Sequence, residues 1–135
     1  MNSGVTSLVG RILISLIFVL SGFMKIMGFG MMAGVLHSKG IPMSSVALVF
    51  TILIEAGVGL MLLVGFQARA AAWILFLFLI PTTLLFHNFW AAAPGMEQQN
   101  QMAHFLKNLA IMGGLLGLAV NGPGSLSVDA KRHAA

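Results

Sequence analysis

The sequence predicts an all-α polytopic membrane protein, a four-helix up-down-up-down bundle with a short interfacial helix after the first span. Composition is the first reason. The 135-residue chain is 59% hydrophobic and 7% charged, with a mean hydropathy of +0.99, whereas soluble proteins average about 25% charged residues. Apolar periodicity is the second: the hydrophobic residues gather into four runs, each near the ~20 residues that cross a hydrocarbon core. Short links are the third, because they force neighbouring spans to be antiparallel. Lipid offers the backbone no hydrogen-bond partners, so every span must be helical.

The same composition excludes other classes. A net charge of +4 from seven basic and three acidic groups is too sparse for a nucleic-acid surface, which needs clustered Lys and Arg. The chain has no cysteine, which rules out disulfides, thiol catalysis and thiolate metal sites on it.

The first span is expected at about 5–27. It is longer than a signal-peptide core, and Lys25 follows Ser21 and Gly22 where a small-residue cleavage site would lie. The segment at about 29–38 is too short to cross and reads as an interfacial helix stopped by Gly40. Pro42 with Ser44 and Ser45 opens the second span, about 45–64, with a hydroxyl cap. The third, about 69–86, contains Pro81, with Thr82 and Thr83 available to freed carbonyls. Phe89 and Trp90 follow it like an aromatic belt. The fourth span, about 105–120, ends at Gly122-Pro123-Gly124 and leaves a tail at 122–135. The whole chain, 1–135, reads as one transmembrane domain. With both termini cytoplasmic, Arg11, Arg69, Lys131 and Arg132 face inward and Lys25, Lys39 and Lys107 outward.

Polar residues inside such runs are the candidates for function. Glu55 sits mid-span, where a lone charge costs roughly 3 kcal/mol on insertion scales. On the first helix Arg11, Ser15, Phe18, Gly22 and Lys25 fall on one stripe, and that stripe must face the bundle. Thr51, Glu55 and Gly59 share a face of the second helix. The third offers Trp73, Phe76, Ile80, Thr83 and His87. The fourth offers His104, Lys107 and Asn108, then Gly113 and Gly117 as a small-residue packing pair. At about 1.5 Å per residue, Arg11 lies about 7 Å to one side of mid-bilayer and Lys25 about 13 Å to the other. The preferred ion pair is therefore Arg11–Glu55. Lys25, His87, His104, Lys107 and Asn108 form a basic cluster at the outer mouth.

Each assignment has a plainer counterpart. Arg11–Glu55 serves either as a clasp fixing helix register or as a proton carrier and ligand anchor. Lys25 and Lys107 sit where lysines snorkel. No carboxylate near His87 or His104 would orient metal ligands, so no metal site is expected. His37 and His133 read as solvated, and Met31-Met32 as a soft apolar surface.

In order along the chain, Arg11, Phe18, Ser21-Gly22 and Lys25, then Gly40-Ile41-Pro42, Glu55-Ala56-Gly57, Gly65-Phe66 with Arg69-Ala70-Ala71, Phe86-His87 and Phe89-Trp90 form a series of motifs. Lys107-Asn108-Leu109, Gly113-Gly114 and Gly122-Pro123-Gly124 through Asp129 complete it. This series resembles the DoxX family of small bacterial membrane proteins over nearly the whole chain. It is most similar to an inner-membrane branch with Phe-x-Lys-Asn opening the fourth helix, here Phe105 to Asn108. The resemblance implies a four-helix inner-membrane protein and suggests a link to redox chemistry, since relatives include the membrane subunit of a thiosulfate:quinone oxidoreductase and members tied to oxidative stress.

The leading functional expectation is a membrane component of a quinone-linked redox or oxidative-stress system. A quinone oxygen would meet Lys25, His87 or Lys107, and Glu55 would relay a proton. Neither flavin, nicotinamide nor iron–sulfur motifs occur, so electrons would come from a partner redox protein or a diffusible reductant; no cofactor beyond a quinone is suggested. The alternative is a non-catalytic membrane subunit or scaffold, alone or as a homo-oligomer, whose polar residues only fix packing.

Overall fold

The structure, a computed structural model, describes residues 2–135, and among them every regular element is helical. Four helices are long and apolar enough to cross a membrane: Ser3–Met27, Ser44–Val64, Ala68–Ala91 and Met96–Asn121. The first span is α1 (Ser3–Met27), opened by Asn2, whose side chain accepts from the Val5 amide at 2.9 Å. Helix α2 (Phe29–Ser38) follows and stops at Gly40, which adopts φ +78°. The second span is α3 (Ser44–Ile52), a π-helical turn over Leu53–Val58, and α4 (Gly59–Val64). The third is α5 (Ala68–Phe86), the fourth α6 (Met96–Asn121), and a short α7 (Val128–Ala134) closes the chain.

Small residues set how the first two spans meet. A methyl group on Gly22 would come within 2.7 Å of the Ala56 amide, and one on Gly59 within 3.1 Å of Phe18. Gly22→Ala is therefore expected to cost about 1–3 kcal/mol by overpacking, read as a lower unfolding midpoint in detergent. Gly34→Ala, with open space around it, should leave that midpoint unchanged.

The buried stripe of α1, with Arg11, Ser15, Phe18 and Gly22, is the one the spacing indicates. The third span differs. Trp73 and Ile80 face outward, and the inward face is Ala68, Ala71, Ala72, Leu75, Leu79 and Thr83. Small alanines let α5 lie close along α6, which pushes its large rings out to lipid. On α6 the close approach falls at Gly114, where a methyl would meet Ile14 at 2.7 Å, while Gly113 and Gly117 face outward. This helix also starts at Met96, well before 105, because Glu97, Gln98, Gln99 and Gln101 are polar yet good helix formers. The expected hydroxyl cap on the second span is replaced by Met43 in left-handed conformation at φ 51°.

Residues 122–134 are no free tail. The chain turns at Gly122 (φ +85°) and Gly124 (φ +83°) and packs Ser127, 5% exposed, under the bundle. Both Asp129 oxygens accept backbone amides at the start of α5, from Gln67 at 2.8 Å and Ala68 at 2.9 Å. A carboxylate at a helix N-terminus satisfies otherwise orphaned donors and meets the positive end of the dipole.

Candidate functional site

Two polar centres lie at opposite ends of the first span, and they do different things. At one end the Arg11 guanidinium, 1% exposed, donates to the carbonyls of Leu63 at 3.1 Å, of Pro123, and of Leu126 at 2.8 Å. It ties the end of the second span to the chain that follows the fourth. At the other end Lys25 Nζ lies 2.9 Å from Glu55 Oε2 and 3.2 Å from Oε1, and donates to Ser21 Oγ at 2.8 Å.

The Arg11–Glu55 pair is thus not formed: Glu55 pairs with Lys25. The two helices do not begin at one level, so depth from the span ends misplaces Arg11 against Glu55. The glycine contacts fix a different register, with Gly22 beside Ala56 and Arg11 beside Gly65, whose added methyl would sit 3.2 Å from the guanidinium. Glu55 and Arg11 are then separated by about 15 Å along the axis, at ~1.5 Å per residue. The flexible lysine stem reaches back the remaining turn.

Glu55 projects from the π-helical turn Leu53–Val58. The wider i→i+5 turn inserts an extra residue into the helical register, and such bulges concentrate at functional sites. It holds Glu55 inward at 6% exposure.

The pair borders a cavity of about 540 Å³ between the four spans and α2. Its walls are mostly apolar, with Ile17, Phe18, Leu36, Phe50, Phe78 and Ile111, and the polar groups Ser21, Lys25, Thr51, Glu55, His87, His104 and Asn108 converge on it. Ile17, Phe50 and Leu85 on its rim are 49%, 64% and 45% exposed, so the cavity opens toward the acyl chains. Asn108 Nδ2 donates to Thr83 Oγ1 at 3.0 Å. His87 Nδ1 lies 2.9 Å from Gln101 Oε1, and the rings of His87 and His104 stack at 5.0 Å.

Of the residues expected at this mouth, Lys25, His87, His104 and Asn108 line one cavity, and Glu55, expected mid-span with Arg11, lines it with them. Lys107 is exposed and lies off it; one position before Asn108 on the helix, it points to another face. Arg11 belongs to the other end. Thr83, on the third span's polar face, joins the site through Asn108, whereas Ser21 and Gln101 are not among the candidates that the sequence offers. Ser21 was readable, since i and i+4 share a helix face. Gln101 was hidden because it precedes the expected start of the fourth span. Among the described residues, no group of three or more His, Cys, Asp or Glu could hold a metal ion.

Four spans around a ligand-sized, lipid-open cavity with a buried ion pair at its edge define a polytopic membrane bundle with a polar-lined interior. The chain belongs to the DoxX family, whose profile matches residues 6–88. It is 33% identical to inner membrane protein YphA of Escherichia coli over 122 residues, covering 90% of this chain and 86% of that one. It is 39% identical to inner membrane protein YqjF of the same organism, over 90% of this chain and 88% of that one. A Surfeit locus protein 4 homolog of Schizosaccharomyces pombe is 34% identical over 73 residues, 53% of this chain and 24% of that one. No solved structure matches. With its four apolar helices, the protein is a multi-pass inner-membrane protein.

Proposed function

We propose that the protein is the membrane component of a quinone-linked redox or oxidative-stress system, and that the quinone head occupies the cavity beside Lys25 and Glu55. The supporting observation is the cavity itself: its volume of about 540 Å³ lies within the range of small-molecule sites, and its apolar walls carry a few converging polar groups. Lys25 donates a hydrogen bond to a quinone carbonyl, and Glu55 holds the ammonium in place and passes protons to it. His87 and Asn108 serve the opposite carbonyl. Reduction to the quinol takes two electrons from a partner redox protein and two protons through these side chains. The outward Gly113 and Gly117 offer that partner, or a second copy, a close-packing surface. Both termini lie on the cytoplasmic side, where Arg11, Arg69, Lys131 and Arg132 gather.

The test is the quinone content of protein purified in mild detergent, read by mass spectrometry. The wild type should retain quinone stoichiometrically, and Lys25→Met/Glu55→Gln should retain about tenfold less, the loss of one charge-assisted hydrogen bond. A wild-type bundle that stays empty when quinone is added overturns the proposal.

One observation favours the scaffold reading. The polar groups already satisfy each other, Lys25 with Glu55 and Ser21, Asn108 with Thr83, and His87 with Gln101. An empty bundle that co-purifies with a stoichiometric protein partner would support it.

A further inference from the structure

A second, polar cavity of about 470 Å³ lies at the opposite end of the molecule, between the start of α5, the end of α6 and α7. It takes no part in the site proposed above. Arg69 reaches it from α5 and Arg132 from α7, with His133 beside them.

Most of the donors here are uncommitted. Arg69 spends Nη1 on the carbonyls of Ala119 and Val120 that end α6. Its Nε and Nη2 have no protein acceptor among the described residues. Arg132 lies over the Phe66 ring at 5.2 Å and likewise has no acceptor among the described residues. The single carboxylate on the cavity wall is Asp129, and both its oxygens already accept the Gln67 and Ala68 amides. Two guanidinium groups therefore converge on a cavity whose one acid is turned to the α5 N-terminus. Planar guanidinium forks match the oxygens of a phosphate group.

Position decides what carries the phosphate. The cavity sits where the second and fourth spans end, at Val64 and Asn121, and the third begins, at Ala68. That is the level of the headgroups. Phe66, Val120 and Leu126 beside it are 37%, 67% and 47% exposed, and acyl chains would lie against them. We infer that this cavity is a headgroup site for an anionic phospholipid, its phosphate held between Arg69 and Arg132.

Native mass spectrometry of the full chain in mild detergent, titrated with phosphatidylglycerol, phosphatidylcholine or inorganic phosphate, tests it. The wild type should retain one phosphatidylglycerol in preference to phosphatidylcholine. Arg132→Ala should weaken that retention about tenfold, the scale of one charge-assisted contact. Lys131→Ala removes the same charge from the adjacent residue, which does not line the cavity, and should leave retention unchanged. Equal losses from the two variants, or equal retention of the two lipids, would overturn the site. Inorganic phosphate displacing the lipid completely at equal concentration would overturn its assignment to a lipid. Arg132 is exposed and bonds to no acceptor among the described residues, so the unfolding midpoint of Arg132→Ala should stay close to the wild type, which separates lost binding from lost fold.

Discussion

Lys25→Met is expected to destabilise the bundle by about 3–5 kcal/mol, the cost of leaving one member of a buried ion pair without its partner. Glu55 is 6% exposed, and nothing else basic lies within salt-bridge distance of it among the described residues. Glu55→Gln alone should cost less, because the amide still accepts from Lys25 and the lysine stem has room to snorkel toward water. The double variant Lys25→Met/Glu55→Gln should recover most of the loss, since replacing both partners leaves no buried charge. Chemical unfolding in detergent micelles gives the four corners of this cycle, and a coupling energy near zero would mean the pair does not hold the helices together. The same double variant separates the two functional readings: restored stability with lost quinone assigns the pair to binding, and restored stability with quinone retained assigns it to packing.

Arg11 should be nearly as sensitive and by another route. Arg11→Leu leaves the carbonyls of Leu63, Pro123 and Leu126 without their donor, at about 1–3 kcal/mol for each group that stays buried. The expected result is partial release: hydrogen exchange accelerates through 122–134 and at the start of α5, while the Lys25–Glu55 end stays protected. Arg11→Lys should rescue little, because one ammonium cannot span acceptors arranged around a planar fork. Unchanged exchange in the Arg11→Leu variant would show that Asp129 and Ser127 hold the segment unaided.

Much of this architecture is legible from hydropathy, because lipid leaves the backbone no choice but helix. The inward stripe of α1 is legible too, since a face carrying both Arg11 and Lys25 has only one tolerable side. Which acid meets which base is not. Span ends fix depth only to within a turn or two, whereas the seating of Gly22 against Ala56 fixes register to a single residue. Large side chains also mislead on the third span: Trp73 and Ile80 read as core but lie outside, because between apolar helices in lipid it is small residues that pack. The fold of 122–134 is written in carbonyls and amides that meet Arg11 and Asp129, and these leave no trace in side-chain patterns.

The Arg11 clamp also has a consequence for assembly. Its acceptors at Pro123 and Leu126 lie 112 and 115 positions further along the chain. The guanidinium meets the Leu63 carbonyl once the second span is in place, but its other two acceptors are missing until the late segment has emerged. Biogenesis therefore closes like a drawstring, with each preceding helix provisional until that segment arrives, and a ribosome halted before it would leave a species fit for the membrane quality-control proteases.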